Sequence, residues 1–113
     1  MSEANKALFQ RYMEMWTSGD ITSLESVVAA DFVGHSGADP DKDDDLVSLR
    51  VHMAQYHAAF PDVEVTLDAQ IAEGELVATR MTARSSRGTV AGFNFSRYRG
   101  GKIVEEWAMW ERP

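Results

Sequence analysis

The sequence predicts an α+β domain in which three N-terminal helices pack on one face of a mostly antiparallel sheet. Before Pro61, apolar residues recur every three or four positions, which is the period of an amphipathic helix. After Pro61, apolar and polar residues alternate, and Gly-containing turns divide the alternating stretches into strands. At 113 residues the chain has the length of one domain, so we expect a single unit over residues 1–113.

The first two helices are predicted from apolar spacing and terminal signals. Residues 3–17 carry a wide apolar stripe, and Gly19 is suited to the left-handed position that ends a helix. Thr22 and Glu25 have the spacing of a capping box, which predicts a short second helix. A brief extended piece is predicted at residues 31–35.

The third helix follows an aspartate-rich stretch, "SGADPDKDDD". Alternate aspartates at 39, 41, 43 and 45 suggest a calcium loop, but the position that requires Gly is Asp44, and the position that requires an acidic ligand is Arg50. The stretch therefore predicts a solvated loop whose last aspartates cap a helix over residues 46–60. Pro61 ends that helix.

Four strands follow, each with alternating polarity. They are joined by the turn sequences "AEGEL", "SSRG" and "RGG", as in an antiparallel meander. The predicted strands cover residues 63–69, 76–84, 90–98 and 102–110.

Composition excludes several classes of function. The formal charge of -7 argues against nucleic acid or an anionic membrane as a partner, because both require a basic surface. The absence of cysteine excludes disulfides and thiol nucleophiles, and the three histidines lack ligand-like spacing, so no metal is expected. His57 has the setting of a core histidine, and His52 lies at the edge of the same helical stripe. No apolar leader or membrane-spanning run occurs, which predicts a cytoplasmic, soluble protein.

Several strings in order resemble the SnoaL-like polyketide cyclase family, in the group typified by nuclear transport factor 2 and ketosteroid isomerase. They are "YMEMWTSGDITSLESVVAADFVGH", "AFPDVEV", "EGELVATRMTARSSRGT" and "FSRYRGGKIVEEW". The resemblance implies a strongly curved sheet that encloses an apolar cavity for a small apolar ligand, with no cofactor. It also implies a homodimer through the outer sheet face, where Trp107 and Met109 would lie.

The last strand carries the main catalytic candidate, Glu106. Strand alternation places Glu106, Ala108 and Trp110 on one face, and the resemblance implies that this face lines the cavity. Desolvation beside an indole would raise the pKa of Glu106 into the range of a general base or acid. The family's usual catalytic aspartate falls at Ala108, so Glu106 would have to act from the adjacent inward position. The alternative is that Glu106 is a surface charge.

The resemblance also implies roles for residues elsewhere in the chain. His35 matches a histidine that the family commonly carries and would assist proton transfer; the alternative is a structural, hydrogen-bonded histidine. Tyr12 and Asn94 match positions that hold the oxyanion in ketosteroid isomerase, although core packing is the alternative for Tyr12. The expected apolar substrate contacts are Trp16, Met53 and Trp110.

The leading hypothesis is a cofactor-independent isomerase or cyclase that transfers a proton next to a carbonyl group. A non-catalytic binder of an apolar ligand is one alternative, and a protein-interaction domain is another. Epoxide hydrolysis is also possible, but it needs two inward carboxylates, and the sequence places only one. Members of the resembled family commonly carry a longer segment that helps to cover the cavity mouth, whereas this chain has only a short turn between Arg87 and Val90. Arg80 and Arg84 share one face of their strand, which we expect to be the outer face.

Overall fold

In the computed structural model, which describes residues 2–36 and 43–111, two α-helices pack on a six-stranded curled sheet that does not close. The helices are α1 (Ser2–Ser18) and α2 (Leu46–Ala59). The strands are β1 (Val28–Ser36), β2 (Asp43–Asp44), β3 (Glu64–Glu73), β4 (Leu76–Ser85), β5 (Gly88–Arg99) and β6 (Lys102–Trp110). Within the described part of the chain, no helix is long and apolar enough to cross a membrane.

The sheet order is β2-β1-β6-β5-β4-β3, so the last strand of the chain lies inside the sheet. Strands β3 to β6 form the predicted antiparallel meander. Strand β1 returns parallel to β6, with Gly34 opposite Glu106. Because both edges of β6 are hydrogen-bonded, its inward side chains are enclosed by neighbours on each side.

The predicted second helix is wrong. Only a short 3-10 helix, Leu24–Ser26, occurs there, and β1 begins at Val28. The Thr22 hydroxyl donates to Asp20 Oδ1 at 2.8 Å and so does not cap a helix. The fully buried Val28 pairs with β6, and that tertiary pairing outweighs the local capping signal.

The first and third predicted helices agree closely with the structure, whereas β3 runs four residues beyond its predicted end at 69, and Asp43–Asp44, predicted as part of a loop, form β2. Helix α1 extends one residue beyond residues 3–17 at each end. Asp45 caps α2, accepting a hydrogen bond from the Ser48 backbone N–H at 2.8 Å, and the helix ends one residue before the predicted position 60. Positions 39 and 41 of the rejected calcium loop lie outside the described residues.

The two helices cover one face of the sheet, here called the inner face. Helix α1 packs on β3 and β4, and α2 packs on β1 and β2. Fully buried residues of the core between helices and sheet include Phe9, Leu24, Phe32, Met53 and Ile103. Arg80 and Arg84 are exposed on the opposite, outer face, as expected.

Candidate active site

A cavity of about 410 Å³ lies between the helices and the inner face of the sheet. Strand alternation brings Asn94 of β5 and Glu106, Ala108 and Trp110 of β6 to its wall. The helices contribute Tyr12 and Trp16 from α1, and Leu49, His52 and Tyr56 from α2. All of the predicted site residues except Met53 line this cavity; Met53 is fully buried in the core.

The carboxyl group of Glu106 is enclosed in the cavity wall, with only 7% of the residue exposed. The Tyr12 hydroxyl donates to its Oε1 at 3.0 Å, and the Asn94 side-chain amide donates to its Oε2 at 3.3 Å. Each carboxyl oxygen therefore accepts one hydrogen bond from a buried side chain. Tyr12 and Asn94, which were expected to bind a substrate oxyanion, thus lie close together. Both, however, donate their hydrogen bonds to the carboxyl of Glu106.

Burial raises the pKa of Glu106 to about 7. The hydrogen bonds from Asn94 and Tyr12 oppose this rise, and the negative charge of Asp44 adds to it. Burial also holds the pKa of the Tyr12 hydroxyl well above its ordinary value, so Tyr12 remains a neutral donor. Near neutral pH, Glu106 is therefore present both as a carboxylate that can accept a proton and as an acid that can return one.

Asn94 has one unsatisfied group beside this carboxyl. Its amide nitrogen is directed to Glu106, and no described residue donates to its buried Oδ1. An unpaired buried acceptor costs on the order of 1–3 kcal/mol.

His35 lies at the cavity wall, but both of its ring nitrogens are engaged elsewhere. Nδ1 is 2.9 Å from Asp43 Oδ1, Nε2 is 2.7 Å from Glu105 Oε2, and the ring stacks on Trp107 at 5.0 Å. The hydrogen bond with Glu105 is the largest cause of a raised His35 pKa. These contacts leave no ring nitrogen of His35 free for Glu106.

The aromatic residues shape the cavity around the carboxyl. Trp16 makes edge contacts with Tyr12 at 6.3 Å and with Tyr56 at 5.5 Å. Trp110 lies over the backbone of Gly92, where an added Cβ would be 2.3 Å from the Trp110 Cε3. Sequence reasoning missed Gly92, although a glycine inside a strand pattern is a recognised sign of close approach.

A second polar pair at the cavity was also missed. His52 Nδ1 lies 3.2 Å from Asp44 Oδ2, and both residues line the cavity. His52 follows Leu49 by three positions and precedes Tyr56 by four, so helical spacing places it on the stripe that faces the cavity. Within residues 2–36 and 43–111, no three metal-binding side chains are grouped to hold an ion.

Comparisons with known proteins agree with this architecture. The family model described as SnoaL-like polyketide cyclase matches residues 6–112. The structure of wild-type IdmH from Streptomyces antibioticus, described as a candidate polyketide cyclase, has a TM-score of 0.84 at 28% identity, covering 95% of this chain and 91% of that chain. AclR from Streptomyces galilaeus, described as a candidate hydroxylase, has a TM-score of 0.81 at 22% identity, covering 98% and 91%, and shares the fold. None of the curated proteins matches the sequence.

Proposed function

The chain belongs to the SnoaL-like polyketide cyclase family, and on that premise we propose that it transfers a proton next to a carbonyl group of an apolar substrate. The reaction is an isomerisation or an intramolecular aldol cyclisation. The observation that carries this proposal is the buried carboxyl of Glu106, which has a pKa of about 7 and faces a cavity large enough for a small ligand. The description of IdmH as a candidate polyketide cyclase supports a ketone-rich substrate.

The carboxylate of Glu106 acts as the general base. It removes a proton from the carbon next to the carbonyl group, leaving an enolate, and the resulting acid can return the proton at a later step. No lysine or arginine occurs among the residues known to line the cavity. The cavity therefore offers a substrate anion no lysine or arginine, which favours a neutral ketone.

Tyr12 and Asn94 donate hydrogen bonds first to the Glu106 carboxylate and then to the oxyanion that forms on the substrate. While Glu106 is ionised, both residues donate to it. Once Glu106 has accepted the proton, its oxygens are weaker acceptors, and the Tyr12 hydroxyl can turn to the newly charged substrate oxygen. His35 has no part in this scheme, because Asp43 and Glu105 occupy both of its nitrogens.

The experiment is hydrogen–deuterium exchange at the α-carbon of a panel of neutral cyclic ketones and 1,3-diketones, followed by NMR in D₂O. Glu106→Gln keeps the shape of the side chain but removes the base, so we expect exchange to fall by a factor of about 100 or more. The matched control is Glu105→Gln, the adjacent glutamate on the outer face, which should keep the wild-type rate. Equal exchange by Glu106→Gln and the wild type would remove Glu106 from the mechanism.

The same experiment separates catalysis from simple binding. If the ketones raise the melting temperature of the wild-type protein but undergo no protein-dependent exchange, the cavity is a binding site without catalysis. In that case, Glu106→Gln would change affinity alone.

A second candidate reaction is epoxide hydrolysis, favoured by one observation. Asp44 is a second carboxylate at the cavity, and its charge acts on Glu106. Hydrolysis of cyclohexene oxide that requires both Asp44 and Glu106 would establish this alternative. Because Asp44 is already paired with His52, we rank it below proton transfer.

A further inference from the structure

An aldol ring closure needs protons at two separate places. The base removes a proton from carbon, and the oxygen of the attacked carbonyl must receive one, several atoms away. Hydrogen bonds from α1 and β5 fix both oxygens of Glu106, which stands on a central strand. A second proton donor elsewhere on the cavity wall would serve the acceptor oxygen without a movement of this carboxyl.

Most of the titratable side chains along the cavity wall are unsuited to be that donor. Burial raises the pKa values of Tyr12 and Tyr56, which makes both hydroxyls weak acids. His35 is engaged by two carboxylates. Asp44 lies near only one ring nitrogen of His52, Nδ1. The His52 imidazole is therefore the remaining candidate for the proton donor along the described part of the wall.

The position of His52 suits this task. Its Nδ1 lies 3.2 Å from Asp44 Oδ2, close enough for an ion pair with the protonated ring, and Nε2 is on the opposite side of the ring. No residue within 2–36 or 43–111 forms an ion pair with Nε2. The side chain is 48% exposed at the cavity, so it can regain a proton from solvent after each reaction.

We propose that His52, oriented by Asp44, is the general acid that protonates the acceptor carbonyl oxygen in an intramolecular aldol closure. The substrate class is then a neutral compound with at least two ketone groups. This inference rests on the proposed function for the role of Glu106 as base. It goes beyond that function by assigning a second catalytic residue, which ring closure uses and α-proton exchange does not.

The steps balance without a cofactor or co-reactant. Glu106 takes a proton from the α-carbon, and the released electron pair forms a bond to the acceptor carbonyl carbon. The C=O π electrons move to oxygen, which takes the proton from Nε2 of His52. The proton on Glu106 returns to His52 through water, so the product is an isomer of the substrate.

The probe for this proposal is 2-methyl-2-(3-oxobutyl)cyclohexane-1,3-dione, a neutral triketone that can close a second ring by an aldol reaction. NMR in D₂O reports two rates on the same molecule. Exchange of protons next to the side-chain ketone needs only the base, whereas ring closure needs the base and the acid. The wild-type protein should accelerate both rates.

The deciding variant is His52→Gln, which can donate a hydrogen bond but cannot release a proton. We expect ring closure to fall by a factor of about 100 more than α-proton exchange does, because only ring closure needs the acid. His57→Gln is the matched control, because His57 lies on the same helix, donates from its Nδ1 to the Thr17 carbonyl oxygen, and is not among the residues that line the cavity. It should retain both rates per folded molecule.

Two further measurements separate catalysis from a structural role. Added imidazole should restore at least about tenfold of the lost ring closure in His52→Ala, because the missing side chain leaves a partly exposed space. Asp44→Asn should lower kcat for ring closure about tenfold more than it lowers α-proton exchange, because the loss of the ion pair with His52 affects ring closure alone, whereas the charge of Asp44 acts on Glu106 and so affects both rates. A merely structural pair would change stability or KM and would show no rescue.

Each contrary result has a definite meaning. Ring closure by His52→Gln at the wild-type rate overturns the assignment of His52 while leaving Glu106 as base. Glu106-dependent exchange without ring closure by the wild type overturns the aldol inference and leaves an isomerase. If the wild type accelerates neither rate, the proposed function fails and this inference fails with it.

Discussion

The environment of Glu106 balances two opposing effects. Removal from water favours the neutral acid, whereas hydrogen bonds from Tyr12 and Asn94 favour the carboxylate. Strand alternation predicted that Glu106 shares a face with Ala108 and Trp110, and the family resemblance implied that this face is the inward one. The partners of the carboxyl could not be predicted, because Tyr12 and Glu106 are 94 positions apart and their contact depends on how α1 lies on the sheet.

Loss of the Tyr12 hydrogen bond should raise the pKa of Glu106 above 7, because the carboxylate loses a donor that stabilises it. In Tyr12→Phe, the acidic limb of the pH–rate profile for ketone exchange should therefore move to higher pH. Tyr98→Phe is the control, since the Tyr98 hydroxyl contacts Ser96 and not Glu106. An unmoved limb in Tyr12→Phe would show that this hydrogen bond does not tune the base.

The raised pKa of Glu106 also predicts how stability changes with pH. Between its ordinary value of 4.5 and about 7, the folded state retains a proton that the unfolded state has lost, so stability falls as pH rises. Relative to Glu106→Gln, the wild type should lose about 2 kcal/mol of unfolding free energy between pH 5 and pH 8. Urea unfolding of both proteins measures this difference, and the contribution of His35 cancels because both contain it. Parallel stability curves would contradict the raised pKa.

At the level of elements, local signals predicted α1, α2 and the meander, but not the start of β1. The capping-box spacing of Thr22 and Glu25 is a local pattern, whereas the pairing of Val28 with Ile103 joins distant parts of the chain. The same limitation applies to the cavity. Helical spacing could have indicated His52, but its pairing with Asp44 depends on how β2 lies against α2.

The close approach of the Trp110 ring to the Gly92 backbone on β5 predicts the effect of a substitution at Gly92. Gly92→Ala places a methyl group 2.3 Å from the present position of the Trp110 Cε3, so the indole must move out of the cavity wall. We expect a loss of about 1–3 kcal/mol in stability and weaker ketone binding. Tryptophan fluorescence and thermal unfolding with and without ligand measure these effects.

The neighbouring change Phe93→Leu is the control for Gly92, because Phe93 points to the outer face of the same strand. It should leave ligand binding unchanged. Wild-type affinity in Gly92→Ala would show that the Trp110 ring has no part in forming the cavity wall.

The whole molecule exposes an apolar patch on the outer face of its sheet. Its members and their exposed fractions are Ile71 (73%), Phe93 (60%), Phe95 (41%), Trp107 (38%) and Met109 (65%). The sequence named Trp107 and Met109 on β6, but the order β6-β5-β4-β3 was needed to join them to the residues of β5 and β3. A contiguous group of exposed apolar residues is typical of an interaction surface. The patch therefore agrees with the expected homodimer through this face, which stays a prediction.

Phe93→Glu should convert the homodimer into a monomer, because it puts a charge in the middle of this outer apolar patch. Val47→Glu is the matched control: Val47 is an apolar residue of α2 that is 72% exposed outside the patch. Size-exclusion chromatography with light scattering measures the mass of each protein. A monomeric wild type, or a dimeric Phe93→Glu, would refute dimerisation through this face.

The central claim is that Glu106 is a cavity carboxyl able to gain and lose a proton near neutral pH. NMR titration of protein carrying ¹³C-labelled glutamate carboxyl groups tests this claim most directly, with the Glu106 signal assigned by its absence in Glu106→Gln. The account predicts a midpoint of about 7 for this signal. A midpoint near the ordinary value of 4.5 would contradict it, because Glu106 would then be a permanently ionised and weak base at neutral pH.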